Sequence, residues 1–339
     1  MLRRRKKTKT LVLGDSLSSN IYVTQDPNNS LLISWVGASS SLDGWVFIDT
    51  CVDRLPLLLE KPDCLRYLGF EVLETDYNYV LIGEEDSLRN KVSIEGEDPH
   101  HIRTWYDLFP STYVKVYKPL LNWCQIIKIL RNRSKVSRIY ANIQRIDPEE
   151  KTVLLEGGAV IEYENLVSSV PQDLLLSRLS GVDPRDIFMK YPHLPYSISL
   201  IVGKTDQKIT DGEVIVYALG KKRYIASHVI LLGVGINSLK NEYVLIYVLT
   251  PLRHNVDKTE ILVKNLSELK NIGINVRDAI FIRSFIEKYG KIFKPEKNSY
   301  DMLLKKLGIK VIGRYGSWEE LSICNIISNL KFTHEGTLA

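Results

Sequence analysis

Two short apolar runs near the N-terminus, residues 10–14 (TLVLG) and 31–36 (LLISWV), constrain the fold of this chain more than any other feature. Both are too short for ordinary helices and are apolar at nearly every position. That pattern belongs to strands buried on both faces of a parallel sheet. Parallel neighbours need a crossover, usually a helix of a dozen or more residues. The interval 15–30 (DSLSSNIYVTQDPNNS) is rich in Ser, Asn and Asp and contains Pro27, so any helix in it is short.

Farther along, residues 119–131 place Leu120, Leu121, Trp123, Cys124, Ile127 and Leu130 on one broad stripe, which predicts a helix with Pro119 near its first turn. The period then changes. Residues 136–146, 152–155 and 160–163 read as strands of a β-meander, with turns at Asp147-Pro148 and Gly157-Gly158, and 166–170 as a short strand stopped by Pro171. Between 195 and 251 the runs SISLIV, EVIVYAL, RYIASHVILL and EYVLIYVL alternate with Gly, Lys, Asn and Asp turns, which predicts a separate antiparallel sheet. Helices are expected over 257–271, capped by Asp257 with Glu260 three residues later, over 300–307, and from Ser322 onward, with a strand at 309–312. Strands and helices at both ends around a β-rich middle imply that the two ends co-fold while the middle forms a second domain.

Arg3, Arg4, Arg5, Lys6, Lys7 and Lys9 more than account for the formal charge of +5, so the rest of the chain is nearly neutral. Residues 1–9 are read as a solvated, frayed leader rather than as an element that binds nucleic acid or an anionic membrane. Cys51, Cys64, Cys124 and Cys324 lie far apart with no C-x-x-C pair, so the expectation is four reduced thiols, no metal site and a cytoplasmic protein. No apolar run approaches the ~20 residues needed to span a bilayer.

Residues 309–327 (IKVIGRYGSWEELSICNII) resemble the C-terminal signature GRYGxWxYxxMDxxI of the flavin-dependent amine oxidase, protoporphyrinogen oxidase and UDP-galactopyranose mutase class, with Gly313, Arg314, Tyr315, Gly316 and Trp318 matching. Further blocks follow in matching order. Residues 140–171 are similar to the hairpin ending in YDxLISTxP, residues 44–49 (GWVFID) to the GxxFDxG segment, and residues 261–274 to the helix ending in LGI. The resemblance implies an α/β fold: a Rossmann-like FAD-binding domain, here 10–75, 115–180 and 300–339, with an inserted, mainly antiparallel β-rich substrate domain, here 76–114 and 181–299. It also implies FAD as cofactor, or an NAD(P)-type dinucleotide. Contacts would come from Gly14, Ser16, the Gly37-Ala38-Ser39 loop, Gly313 and Arg314, and from the N-terminus of the last helix at Ser322, Ile323 and Cys324, whose dipole would favour negative charge on a reduced flavin.

The departures fall on the cofactor loop. Where the class has GxGxxG this chain has Gly14-Asp15-Ser16-Leu17-Ser18-Ser19, and only the first Gly remains. Ser16 would push a side chain toward the pyrophosphate, and Asp15 would set a like charge beside it. The acidic residue expected at the end of the second strand, to hold the ribose, is replaced by the stretch Ser34-Trp35-Val36-Gly37. Two functional readings therefore stand: a flavin-dependent oxidoreductase acting on a small-molecule substrate, or a binding or assembly module that keeps the fold without FAD. A homo-oligomer or a protein partner fits the second.

Other signals are weaker. Gly14-Asp15-Ser16-Leu17 also resembles the first block of GDSL hydrolases, but the D-x-x-H pair such chemistry needs near the C-terminus is missing. Asp98-Pro99-His100-His101 is read as a surface loop rather than a metal site, and Lys221-Lys222-Arg223 as a solvated turn. Trp105, Tyr106, Tyr113 and Tyr117 are read as core or wall aromatics.

Overall fold

The computed structural model describes residues 5–35, 41–42, 45–46, 58–59, 61–94, 115–183, 187, 191–210, 213–233, 243–253, 257–293 and 299–335. The Gly37-Ala38-Ser39 loop, the 98–101 segment, the 44–49 block apart from Trp45 and Val46, and Trp105, Tyr106 and Tyr113 lie outside the described residues. The chain divides into two compact units, residues 1–53, 121–192 and 292–339 forming the first and 54–120 and 193–291 the second.

Unit 1 begins with β1 (Arg5–Leu13), α1 (Leu17–Gln25), β2 (Ser30–Trp35) and the small hairpin β3 (Ser41–Leu42) and β4 (Trp45–Val46). Unit 2 contributes α2 (Asp63–Arg66), β5 (Val72–Gly83), α3 (Glu85–Val92) and β6 (Lys115–Pro119). The chain re-enters unit 1 with α4 (Trp123–Ser134), β7 (Ser137–Ala141), β8 (Ile143–Asp147), β9 (Thr152–Leu155), β10 (Val160–Ser168) and α5 (Gln172–Leu176). Next, in unit 2, come β11 (His193–Thr205), β12 (Val214–Gly220), β13 (His228–Gly233), β14 (Val244–Pro251), α6 (Lys258–Asn271) and β15 (Val276–Ile292). The last stretch, in unit 1, holds α7 (Ser299–Lys306), β16 (Ile309–Val311), α8 (Gly313–Ser317) and α9 (Ile323–Glu335).

The sheet of unit 1 runs β7-β2-β1-β10-β9-β8, with β16 also on β10. The neighbours among β7, β2, β1, β10 and β16 are parallel, and β8, β9 and β10 form the antiparallel meander. One edge of β10 serves two partners in succession: Val160–Glu162 pair with β9, and Leu166–Ser168 with β16. The strands that read as separate runs at 160–163 and 166–170 are therefore one. Leu11, Val12, Leu13, Leu32 and Ile33 are fully buried, as the continuous apolar runs required.

Three local expectations are corrected. Residues 5–9 are no frayed leader: β1 starts at Arg5 because each of Arg5–Thr8 pairs with a residue of β10, and Arg5 bonds Glu162. Pro119 does not open a helix; it closes β6 opposite Val72. Helix α4 begins after Asn122, whose side chain accepts from Gln125 N while the Gln125 side chain accepts from Asn122 N, a reciprocal cap worth about 1 kcal/mol.

Unit 2 is a single sheet in the order β15-β11-β14-β13-β12-β5-β6. Its registered pairs are antiparallel except β12 with β5. Helix α6, capped by Asp257 accepting from Thr259 N, lays Leu269 on one face, in a core that includes Ile201, Leu231, Ile246 and Val248. The expected boundaries at 75 and 115 shift to 53 and 120 because β5 is one continuous strand bonded to β12 and β6; a division at 75 would cut through it. The later boundaries move from 180 to 192 and from 299 to 291.

Cys64, Cys124 and Cys324 are disulfide-bonded, which overturns the expectation of reduced thiols. Disulfides persist in oxidising compartments and within the cells of hyperthermophiles, so the thiols no longer argue for a cytoplasmic location. Among the described residues no helix is long and apolar enough to cross a membrane, and no group of three or more His, Cys, Asp or Glu side chains could hold a metal ion.

Candidate site at the strand ends of unit 1

Residue order along the sheet sets the location. The chain leaves β1 toward β2 on one side and later returns to β10 on the other, so the carboxyl ends of β1 and β10 form a topological switch point, the usual ligand position in open α/β sheets. Backbone bonds tie this rim together. Gly14 N donates to Ile33 O (2.9 Å), Ser169 N to Leu13 O (2.9 Å) and Ile312 N to Ser168 O (2.9 Å).

Gly14 and Gly316 meet at this rim through Ser168 and Ser169. Gly14 has φ +96°, and a Cβ built on it would lie 2.5 Å from Ser169 Oγ; one on Gly316 would lie 2.6 Å from Ser168 O. Gly313, the first residue of α8, has φ +74°. The two ends of the sequence thus converge on one rim, as the motif order required.

What fills the loop was not legible beforehand. Ser16 caps α1: its Oγ accepts from Ser19 N (3.3 Å) and shares a hydrogen bond with Ser18 Oγ (2.8 Å). Ser19, where the class has its third Gly, donates to Ser169 Oγ at 2.6 Å. Among the described residues the Ser16 hydroxyl meets Ser18 and Ser19 and no imidazole, so it has no base to activate it as a hydrolase nucleophile. Ser18, Ser19 and Asn20 are fully buried and Asp15 is 4 % exposed.

The Asp15 charge is met from outside the loop. Its carboxylate accepts from Asn20 Nδ2 (2.8 Å) and Arg131 Nε (3.2 Å), and Arg131 Nη2 lies 2.9 Å from its other oxygen. Arg138 donates to Asn20 Oδ1 (3.0 Å) and Ser134 Oγ (3.0 Å). Burial pushes the Arg138 guanidinium below the usual arginine range; Asp15 opposes that shift and Arg131 adds to it. Arg131 and Arg138 come from α4 and β7, more than a hundred residues from Asp15, so the loop sequence alone reads as uncompensated.

The C-terminal turn is equally occupied. Arg314, 2 % exposed, donates from Nε to Glu320 Oε2 (3.1 Å) and from Nη2 to Glu320 Oε1 (2.6 Å). Glu320 also accepts from Ile292 N (2.7 Å). Gln172 donates to Gly316 O (2.8 Å) and accepts from the Tyr191 hydroxyl (2.9 Å), whose ring packs edge-on against Trp318 at 4.8 Å. Burial pushes the Tyr191 hydroxyl far above its ordinary pKa, with Asp301 adding to the shift. Ser322 is the N-cap of α9, its Oγ accepting from Asn325 N (3.2 Å), while Ile323 is buried and Cys324 is buried and disulfide-bonded.

Tyr117, the described member of the aromatic set, sits on β6 and exchanges both backbone hydrogen bonds with Leu59. Lys221 lies in the turn after β12, where its carbonyl accepts from Lys91 Nζ (2.9 Å).

No family model matches this sequence. No curated protein matches it either. Solved structures do match it in fold. A reduced UDP-galactopyranose mutase superposes with a TM-score of 0.73 at 10 % identity, over 98 % of this chain and 94 % of that one. A putrescine oxidase with redesigned cofactor binding gives 0.65 at 11 % identity, over 98 % and 99 %. A CLA-producing fatty acid isomerase from P. acnes gives 0.64 at 10 %, again over 98 % and 99 %. The resemblance read from the motifs is thus one of architecture: the chain has the two-domain α/β fold of the UDP-galactopyranose mutase and amine oxidase class, a Rossmann-like domain with an inserted β-rich domain.

Proposed function

We propose that this chain keeps the flavin-oxidoreductase fold without its redox chemistry, and acts by binding rather than by electron transfer. One observation carries the reading. The Asp15 carboxylate, buried and ion-paired to Arg131, lies in the turn from β1 to α1, where a dinucleotide pyrophosphate would have to rest. Two unit charges of like sign about 4 Å apart repel by roughly 4 kcal/mol at an effective dielectric of 20, a repulsion that the Arg131 guanidinium beside Asp15 reduces without removing the carboxylate from the turn. Ser16 Oγ adds to the obstacle by taking the Ser19 N–H, one of the first-turn donors that would otherwise meet a phosphate. Arg314, the cation nominated for phosphate or flavin, is engaged by Glu320. These residues do not fit FAD.

The second reading, a flavin-dependent oxidoreductase, draws support from Gly14 and Gly313, both with left-handed φ at the carboxyl ends of β1 and β16, on either side of β10. One experiment separates the two. Protein purified without added cofactor is examined for the visible flavin band, then titrated with FAD in a calorimeter. A colourless protein that takes up no FAD supports the binding role; a yellow protein releasing stoichiometric FAD on heating overturns it.

A further inference from the structure

The second unit ends its sheet on a long strand whose edge-blunting features, the left-handed Asp278 (φ +45°) and the charges of Arg277, Asp278, Arg283, Glu287, Lys288 and Lys291, leave one stretch uncovered. β15 has seventeen residues, and among the described strands only β11 pairs with it, on its inner side. Sheet edges of this length are normally blunted by Pro, by Lys or by brevity, because the unpaired N–H and C=O groups template another strand. β15 contains no Pro, and residues 279–282 (AIFI) in its first half carry no charge. Ile280 is 56 % exposed, Ile282 44 % and Ile286 40 %. The nearby charges at its start are already held: Arg277 pairs with Asp206 (2.8 Å) and Asp278 with Lys204 (3.6 Å).

We propose that β15 pairs antiparallel with β15 of a second copy of this chain, about a two-fold axis through Phe281, joining two seven-stranded sheets edge to edge. The residues choose that register. Opposed residues of an antiparallel pair share a sheet face, so a dyad at Phe281 sets Ile280 of each copy against Ile282 of the other and Phe281 against itself. Ala279 then faces Arg283, and Asp278, whose φ of +45° breaks the pleat, ends the paired stretch. No like charges meet. Moving the dyad to Ile280 would oppose Arg277 to Arg283, and moving it to Ile282 would take Ile280 from Ile282 and set it against Ser284. A second copy is the occupant favoured because the same edge supplies both halves of the match, as a closed two-fold interface requires.

The full chain is tested by light scattering coupled to gel filtration over a wide concentration range. The expected result is twice the chain mass, with Ile282→Lys falling to the single-chain mass while its circular dichroism and thermal unfolding stay unchanged. Register is read separately from oxidised, non-reducing gels. Phe281→Cys crosslinks the dimer because position 281 faces itself. Ala279→Cys does not, since its two copies lie roughly 13 Å apart at 3.4 Å per residue. A chain that stays at the single mass, a dimer that survives Ile282→Lys, or a crosslink preferring 279 over 281 overturns the proposal.

Discussion

Arg314 and Glu320 form a two-pronged ion pair across one turn of chain, at 3.1 Å and 2.6 Å, with the arginine 2 % exposed. The pair closes the loop that starts with Gly313 and ties it to Ile292 N through the same carboxylate. Breaking a buried pair by removing one partner leaves the other charge without compensation. Arg314→Ala should therefore lower unfolding free energy by about 3 kcal/mol, read from urea midpoints. Arg314→Lys should recover only part, because an ammonium does not reproduce the fork. If the arginine instead served a cofactor, the Ala variant would keep its stability and change only ligand uptake.

The Asp15–Arg131 pair should be asymmetric. The Arg131 side chain is 33 % exposed and the Asp15 side chain 1 %. Arg131→Ala strands a buried carboxylate and should cost about 3 kcal/mol, whereas Asp15→Asn leaves a guanidinium that can turn to water and should cost about 1 kcal/mol. Chemical denaturation of both variants checks the order; equal costs would mean the pair is not buried as described.

Gly14 should tolerate no side chain. Ala there must adopt φ +96° and meet Ser169 Oγ at 2.5 Å, for a combined loss of roughly 2–3 kcal/mol. Adding Ser169→Ala removes the clashing oxygen but not the backbone strain. In a double-mutant cycle the two changes together should therefore cost about 1 kcal/mol less than the sum of the single losses.

Acid should weaken unit 2 through His228. Burial lowers its pKa to about 3, with Lys291 and Lys91 adding to the shift. In the unfolded chain the imidazole titrates near 6.5, so between about 6.5 and 3 the unfolded state binds the extra proton. The stability associated with the neutral ring is fully present above the unfolded pKa and is lost as pH falls through that window, by up to about 1.4 kcal/mol per pH unit. His228→Gln should flatten the slope of denaturation midpoint against pH between 6 and 4. An unchanged slope would assign the acid sensitivity to other groups.

Much of the architecture was legible because its signals are local. The runs at 10–14 and 31–36, four strands of unit 2 and the caps at Asp257 and Ser322 lie where pattern and cap chemistry put them, whereas the first strand expected of the meander, 136–146, divides into β7, parallel to β2, and β8, at opposite edges of the sheet. The rest was hidden for identifiable reasons. β15 reads poorly as a strand because its first half is exposed on both faces and shows no apolar alternation. Pro119 suggests a helix start, but Asn122 and Gln125 carry the stronger signal for α4. At the site, Gly14, Ser16 and Gly313 fall on the expected rim, but partners such as Arg131, Ser169 and Gln172 are distant in sequence, and no spacing rule connects them. The disulfides of Cys64, Cys124 and Cys324 have no C-x-x-C spacing to announce them.

The shared edge of β10 bears on how this protein is made. Its last three paired residues, Leu166–Ser168, wait for Ile309–Val311, so a ribosome must emit well over a hundred further residues before that ladder can close. Until then a short open ledge of parallel strand is exposed to any chaperone or neighbouring nascent chain. Early termination anywhere between those segments would leave the ledge bare for the lifetime of the fragment.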